Sequence, residues 1–281
     1  MKKLSSKANR IIFAVLLFIS TLLSANPAFA MYDGKSGVST HAETPGKHDR
    51  RYTFTREIGR GGFGNVNLYM DTESNRPVAI KSLFHGKEFS EEQLRKMQKV
   101  DSPYVAKAYG LTEIDGKNNL VMEYVDGGIP FIKASIMHQY SKEKLLDICI
   151  QLVKAFKAFC DAGLEHIDLG QHTGNVLIDI HGNLKIIDYE DAFEAGDAFM
   201  GNMCQALIHV ASLLNATDNT LYDKMIEHLP GIVFLPCHWS DNTERMYPGG
   251  LLYPTLRFEN LIKILEDMKN NLKLSNMRYS Q

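Results

Sequence analysis

The segment 59–66 reads Gly-Arg-Gly-Gly-Phe-Gly-Asn-Val, a G-x-G-x-x-G-x-V pattern that lies between two short runs of alternating apolar residues. Alternation with a period of two predicts strands, so the glycines are expected at the turn of a β-hairpin. A dinucleotide-binding fold needs such glycines to open a helix, and a Walker A loop needs Gly-Lys-Ser/Thr after them. The pattern therefore indicates either an ordinary glycine-rich turn or a hairpin whose bare backbone closes over phosphates.

An apolar run that ends in a lysine, Val78-Ala79-Ile80-Lys81, follows the glycine-rich turn. A lysine at the end of a strand is usually a simple surface charge. Beside a glycine-rich hairpin, however, Lys81 is predicted to hold the α- and β-phosphates of a nucleotide. The two features together are far more specific than either of them alone.

Hydrophobic periodicity predicts a mostly β N-terminal unit of five strands and one helix. The strands are expected at 52–58, 65–70, 76–83, 105–112 and 119–124, and the helix at 89–100. Ser90 is suited to cap that helix. Residues 126–128, Asp-Gly-Gly, break the pattern and are interpreted as a hinge.

The remainder of the chain is predicted to be mainly helical. Apolar residues from Leu145 to Cys160 recur at helical spacing after Ser141, which can cap a long helix. A second small hairpin is expected at 176–179 and 184–187, and further helices at 203–214 and 256–272. The whole pattern describes a β-rich lobe, a hinge and a helical lobe.

Between the long helix and the second hairpin, residues 166–175 read His-Ile-Asp-Leu-Gly-Gln-His-Thr-Gly-Asn. Asn175 follows Asp168 by seven positions, and Asp188 follows Asn175 by thirteen. By themselves, Asp188 could equally be the cap of a turn, and His166-Ile167-Asp168 could equally be ordinary residues of a polar loop. Their order after the glycine-rich segment and Lys81 favours a nucleotide site.

The chain resembles a protein kinase in five elements that occur in the family's order. They are the glycine-rich segment, Lys81, the hinge run 119–128, the loop 166–175 and Asp188. The resemblance covers about residues 52–193. It implies an α+β, protein-kinase-like bilobal fold within 52–272, with a β-rich N-lobe at 52–125 and a reduced helical C-lobe at 129–272.

The resemblance also implies the ligands and the role of each site residue. ATP is the expected phosphate donor, and the expected metal is Mg²⁺, with Mn²⁺ as an alternative. Asp168 and Lys81 would be catalytic: Asp168 would accept the proton of the acceptor hydroxyl, and Lys81 would contact the phosphates. Asn175 and Asp188 would bind the metal ion. The residues expected around the nucleotide are Gly59, Gly61, Gly62, Phe63, Gly64, Val66, Ala79, Lys81 and, through backbone groups at the adenine, Glu123 and Val125.

Kinases hold the phosphate-binding lysine with a glutamate of the first helix, so the resemblance implies an ion pair for Lys81. Glu91 and Glu92 both lie on the predicted helix, and Glu88 lies just before it. Counting back from the Ser-Pro at 102–103 favours Glu92. Glu92 is therefore the predicted partner.

The chain departs from the family in ways that concern its substrate. The spacing from Asp168 to Asn175 is two residues longer than in the family, Ile167 replaces the Arg of many kinases, and no Ala-Pro-Glu follows Asp188. These differences imply a reduced peptide-docking region and a site that phosphorylation does not gate. Residues 188–190, Asp-Tyr-Glu, also resemble choline-kinase-like and aminoglycoside-phosphotransferase-like enzymes, which phosphorylate small molecules.

The predicted function is transfer of the γ-phosphate of ATP to a protein hydroxyl, with Ser/Thr favoured over Tyr. Two alternatives stay open: a small-molecule phosphotransferase on the same fold, and a pseudokinase that binds nucleotide without turnover. The formal net charge of −2 and the lack of a basic stripe argue against a nucleic-acid partner.

The first thirty residues have the form of a secretory signal peptide. Four basic residues precede the apolar stretch 11–23, and Ala28-Phe29-Ala30 has the small-x-small form of a cleavage site. A membrane anchor is the alternative, but this stretch is short of the roughly 20 residues that span a bilayer. We therefore expect a cleaved segment at 1–30, a flexible leader at 31–51 and an exported protein, secreted or periplasmic, without membrane contact. Because ATP is scarce outside cells, the hypothesis is an effector that phosphorylates proteins in a host cell.

Overall fold

The computed structural model, which describes residues 51–166, 173–196, 198–229 and 256–278, has an antiparallel five-stranded sheet in its N-terminal half. The strands are β1 Tyr52–Arg60, β2 Gly64–Asp71, β3 Arg76–Leu83, β4 Ala108–Ile114 and β5 Lys117–Glu123. Their spatial order is β1-β2-β3-β5-β4. The predicted five-stranded unit is confirmed, and β3 has the predicted bounds.

Alternation of side chains explains which face of this sheet is the core. One buried cluster is formed by Tyr69, Val78, Ile80 and Val121. Successive residues of a strand point to opposite faces, so Ala79 and Lys81 lie on the other face of β3. The register pairs Val66 with Lys81 and Ala79 with Met122. Three residues predicted to surround a nucleotide are thereby brought onto neighbouring strands.

The helix α1, Glu91–Gln98, contacts β4 and has a well-defined start. The Gln93 N–H donates to Ser90 Oγ at 3.1 Å, and the Ser90 N–H donates to the Gln93 side-chain oxygen at 3.0 Å. A cap of this kind stabilises a helix by about 1 kcal/mol. Leu94 and Met97 form the buried face. The helix and its Ser90 cap are confirmed, although fewer residues are helical than the predicted 89–100.

The C-terminal half is mainly helical, as predicted. Its helices are α2 Phe131–His138, α3 Lys142–Asp161, α4 Ala198–Thr217, α5 Asn219–Glu227 and α6 Phe258–Arg278. Short strands accompany them: β6 Ile129–Pro130, β7 Leu164–Glu165, β8 Val176–Ile178, β9 Leu184–Ile186 and β10 Phe193–Glu194. The predicted second hairpin is β8–β9; β6 joins it on the side of β8, and β7 pairs with β10.

The long helix α3 is the centre of the C-terminal half. Ser141 caps it by accepting the Lys144 N–H at 3.2 Å, as predicted. Side chains such as Leu146 and Phe156 are completely buried, because α4 and α6 both pack against this helix. A helix covered on several sides can be apolar over most of its surface.

Two helices, α2 and α5, are absent from the sequence-based prediction. The α2 helix is apolar on most sides and has no side-chain cap, so its periodicity is weak. The α5 helix does have a signal, since Asp218 caps it by accepting the Thr220 and Leu221 N–H groups at 3.0 and 3.1 Å. None of the helices in the described ranges is both long and apolar enough to span a bilayer.

Candidate active site

Residues 104–106 join the two halves of the molecule at the site. Strand β4 begins at Ala108, three residues later than predicted, because the chain before it pairs with β9 instead. The Ala106 N–H donates to the Ile186 carbonyl at 2.9 Å. The Tyr189 hydroxyl donates to the Ala106 carbonyl at 2.6 Å. These bonds place the residues that follow β9 next to the N-terminal sheet.

The Lys81 side chain meets two carboxylates that are more than a hundred positions away in the sequence. Its ammonium donates to Asp188 and to Glu190. The side chains of Lys81 and Glu190 are each 9% exposed, whereas that of Asp188 is 37% exposed. The structure thus brings together Lys81 and Asp188, as the sequence predicts, and adds Glu190.

This cluster of one ammonium and two carboxylates has an excess of negative charge. Burial disfavours the ammonium, but Glu190 and Asp188 outweigh burial and raise the pKa of Lys81, so the group stays protonated. Burial raises the pKa of Glu190; Lys81 opposes this rise and Asp188 reinforces it. A cation bound nearby would neutralise the excess charge.

Asp188 is held in place through the residue before it. The Ile187 N–H donates to the Asn175 carbonyl at 2.9 Å, and His166 Nε2–H donates to the Ile187 carbonyl at 3.3 Å. Both ends of the predicted catalytic loop are therefore attached next to Asp188. Asp188 itself has a φ of 64°, a left-handed conformation that is uncommon outside glycine and is concentrated at functional sites.

An aromatic cluster supports this segment from behind. The Phe159 ring lies 5.5 Å from His166 and 5.4 Å from Tyr189 between centroids, edge-on in both cases. Burial lowers the pKa of His166 to about 4, so its imidazole is neutral at pH 7. His166 is thus a packed structural anchor that carries no imidazolium proton to donate at neutral pH.

The sheet itself requires one glycine of the glycine-rich hairpin. Gly64 is paired with Leu83 on β3. A Cβ at Gly64 would come within 2.2 Å of the Ser82 carbonyl oxygen, so no other residue fits without moving the neighbouring strand.

The tip of the hairpin is different, because its glycines are not needed for packing. A Cβ at Gly62 would meet nothing within 4 Å, and the nearest atoms to one at Gly61 and Gly59 would be 4.0 and 3.9 Å away. The Phe63 side chain is 77% exposed. Uncrowded glycines at an exposed tip fit a backbone that approaches a ligand closely.

The predicted adenine-binding residues lie at the end of β5. The Glu123 N–H donates to the Lys107 carbonyl at 2.8 Å, and its carboxylate pairs with Lys185 at 2.6 Å. The Val125 carbonyl accepts the Gly128 N–H at 3.1 Å. Since Glu123 pairs with Val78 of β3, these residues lie beside the strand that carries Lys81.

The predicted ion pair between Lys81 and Glu92 is not formed in the structure. Glu92 lies on the exposed side of α1 and pairs with Lys96 at 3.0 Å. Of the two alternatives, Glu91 is exposed and Glu88 accepts a backbone N–H from β5 at 3.1 Å. The first turn of α1 projects into solvent, so its carboxylates are directed away from the buried ammonium.

Two predicted residues flank the catalytic loop. Asp168 lies outside the described residues, so its role stays a prediction. Asn175 ends the 3₁₀ turn Thr173–Asn175 and has a partly exposed side chain. Its backbone bond to Ile187 places it beside the segment of Asp188.

Comparison with known proteins decides the family. The sequence matches the protein kinase domain over residues 52–211, which is more than half of the chain. The chain belongs to the protein kinase family.

Three relatives illustrate the extent of the similarity. This kinase is 32% identical to serine/threonine-protein kinase PrkC of Bacillus subtilis (strain 168) and 31% identical to CBL-interacting protein kinase 1 of Oryza sativa subsp. japonica, each over 146 residues, or 50% of this chain. It is 26% identical to serine/threonine-protein kinase PEPKR2 of Arabidopsis thaliana over 171 residues, or 60% of this chain. The matched segments cover 22%, 31% and 36% of these relatives, so the chain spans only a minor part of their length.

Protein kinases use ATP together with a divalent metal ion, and the residues of this kinase fit that requirement. No three His, Cys, Asp or Glu side chains in the described ranges are grouped so that they could hold a metal by themselves. Asp188 instead offers a carboxylate beside the excess negative charge, and Asn175, whose backbone carbonyl is bonded to Ile187, would add an amide oxygen. Because Mg²⁺ is usually bound by one or two carboxylates plus phosphates and water, this donor set fits an ion that arrives with ATP. When bound, the ion would neutralise charge on the phosphates.

Glu190 is the site residue that sequence reasoning did not assign. Its signal was the Asp-Tyr-Glu run at 188–190, but burial of Glu190 against Lys81 is evident only in the fold. In this protein kinase both carboxylates at the lysine therefore come from one three-residue segment.

Proposed function

We propose that this chain is an ATP-dependent protein kinase that phosphorylates serine or threonine hydroxyls. The observation that supports this best is the contact between Lys81 and Asp188. Lys81 lies on β3, which pairs with β2, the second strand of the glycine-rich hairpin. Phosphoryl transfer asks the protein mainly for positioning and for positive charge at the phosphates. Serine/threonine kinases among the relatives support the choice of acceptor.

Each residue has a distinct task in this proposal. Lys81 and the backbone N–H groups of the hairpin bind the phosphates, and Asn175 and Asp188 hold the metal ion. Asp168 orients the acceptor hydroxyl and accepts its proton. His166 and Asn175 hold the two ends of the Asp168 loop through their hydrogen bonds to the segment of Asp188.

A direct test uses the purified chain with γ-labelled ATP and Mg²⁺, with and without a cell lysate. Label on serine or threonine of proteins, found by mass spectrometry of the labelled peptides, supports the proposal. ATP binding without any transfer contradicts it and indicates a pseudokinase.

A second candidate is transfer to a small molecule. It is favoured by the Asp188-Tyr189-Glu190 run, because the last residue of that run lies in the site and contacts Lys81. In the same assay, label confined to small solutes, with none on protein, would support this function in place of the first.

We also propose that the kinase is exported and acts on proteins of another cell, where ATP is available. The support is the sequence of residues 1–30, which lie outside the described part of the chain. A fusion of these residues to an export-dependent reporter enzyme should give activity outside the cytoplasm. Retention of the uncleaved full chain in the cytoplasm contradicts export, and confinement of the kinase to the periplasm contradicts delivery.

A further inference from the structure

Two carboxylates of one segment share the Lys81 ammonium, and they differ in their surroundings. Asp188, the expected metal ligand, is 37% exposed, whereas Glu190 is 9% exposed. Asp188 can therefore face a ligand while Glu190 contacts the lysine from a buried position. The structure gives Glu190 no described cationic neighbour other than Lys81.

Helix α1 brings no carboxylate to this lysine. Glu92 pairs with Lys96 on the exposed side, and the inward-facing residues Leu94 and Met97 are apolar. The polar side chain of Gln93 is already used in the N-terminal cap, where its oxygen accepts the Ser90 N–H at 3.0 Å. The first helix, which supplies the glutamate partner in the kinase pattern, therefore supplies none to Lys81 here.

We propose that Glu190 is the residue that positions Lys81 for contact with the phosphates, in place of a helix glutamate. This inference rests on the proposed phosphotransferase function. Glu190 is a positioning residue and acts through Lys81, because its carboxylate holds the ammonium when the metal-bound nucleotide engages Asp188.

The position of Glu190 in the chain gives this arrangement a regulatory consequence. Glu190 directly follows Tyr189, whose hydroxyl is bonded to the Ala106 carbonyl at 2.6 Å. The partner of Lys81 is therefore fixed to the same segment as the metal ligand. Alignment of the lysine does not depend on the placement of α1, so this kinase has a constitutively aligned lysine.

A double-mutant cycle tests the inference. The variants are Glu190→Gln, Lys81→Met and the two combined, with Glu194→Gln as a matched control, because Glu194 is an exposed glutamate of the same segment that also pairs with a lysine. Glu190→Gln should lower kcat/KM for ATP by about ten- to hundred-fold through misplacement of the ammonium. The combined variant should lose no more than Lys81→Met alone, since residues that act as a unit are not additive.

Metal dependence separates positioning from direct metal binding. If Glu190 acts only through Lys81, the half-saturating Mg²⁺ concentration stays the same in Glu190→Gln. A several-fold rise in that concentration, or multiplicative losses in the double variant, would overturn the proposal in favour of a metal ligand. A loss in Glu92→Gln together with an active Glu190→Gln would overturn it in favour of the helix.

The same cycle remains informative if the wild-type chain transfers no phosphate. In that case the proposed function fails, and the same variants are compared by their Kd for Mg-ATP. Non-additive weakening of ATP binding by Glu190→Gln and Lys81→Met supports the positioning role of Glu190. Additive effects, or no effect, refute that role. Glu190→Asp guards against a folding defect of the amide variant, because it keeps the charge and should recover part of the lost affinity or rate.

Discussion

Two lysines of the N-terminal half, Lys81 and Lys99, contact carboxylates of the segment 188–194, and they lie in opposite environments. Lys81 and Glu190 are each 9% exposed, whereas Lys99 and Glu194 are 50% and 62% exposed and meet at 2.7 Å. Water screens the second pair, so exposed pairs of this kind contribute little to stability. The first pair is largely removed from water, so each of its charges depends strongly on the other.

A lysine–glutamate pair therefore has different consequences at Lys81, where it is buried, and at Lys99, where it is exposed. A buried charge is kept only where partners compensate its lost hydration. Lys81 has two such partners on one segment, which fixes the position of its ammonium. Lys99 can move into solvent without loss. Burial therefore distinguishes the contacts of Lys81, for which a function is proposed, from the exposed contact of Lys99.

The largest effect is expected for Asp188→Asn, which keeps the shape of the side chain but removes the charge proposed to bind the metal ion. Transfer should fall at least about a thousand-fold, because charge stabilisation at the phosphates is the main catalytic contribution of such a site. Initial rates with labelled ATP measure this, with Asp191→Asn as the control at an exposed acid nearby. Undiminished transfer in Asp188→Asn would remove the residue from the mechanism.

Lys81→Met and Lys99→Met test the buried and the exposed pair directly. The first should reduce transfer by about a hundred-fold or more and lower the free energy of unfolding by about 3 kcal/mol, since it leaves the buried Glu190 carboxylate without its cation. The second should change neither quantity measurably. If both variants changed the transfer rate and the urea unfolding free energy equally, burial would not distinguish the Lys81 pair from the Lys99 pair.

The buried His166 should also make the free energy of unfolding depend on pH, which an exposed histidine does not do. The pKa of His166 is about 4 in the fold and about 6.5 in an unfolded chain, so between these values only the unfolded state binds the proton. The free energy of unfolding should therefore fall by up to about 3 kcal/mol as the pH decreases from 6.5 to 4, and be fully present above 6.5.

Urea unfolding at several pH values measures this slope in wild type, in His166→Phe and in His85→Asn, which alters an exposed histidine. Only His166→Phe should flatten the slope in this window. A wild-type slope that persists in His166→Phe would assign the pH dependence to other groups.

The smallest effect is expected for Glu194→Gln. Its pairing with Lys99 lowers the pKa of the Glu194 carboxyl, but both side chains are well exposed. The melting temperature should not change measurably at physiological salt. Added salt should not create a difference in melting temperature between the variant and wild type. A clear destabilisation would mean that the exposed pair, too, fixes the segment.

Elements that depend on local patterns were predictable in both halves of the molecule. Strand alternation gave β3 at its observed bounds, and the Ser90 and Ser141 caps were evident from residue type and position. The order and spacing of the motifs also predicted that Lys81 and Asp188 meet, because both match positions of the kinase pattern despite their separation in the sequence.

The parts that escaped prediction depend on contacts between distant segments. Strand β4 starts late because β9, far along the chain, takes the backbone groups of residues 104–106. Glu92 and Glu190 are both glutamates near motif residues, and only the fold shows which of them is turned inward. No local pattern contains that information.

Ile187 uses both of its backbone groups to hold the two ends of one loop, the N–H for Asn175 and the carbonyl for His166. Such a double anchor ties positions 166 and 175 to a single residue, the immediate neighbour of Asp188. A substitution at Ile187 that alters its backbone would therefore disturb both of these positions and Asp188 at once, whereas a change in its side chain alone keeps both hydrogen bonds.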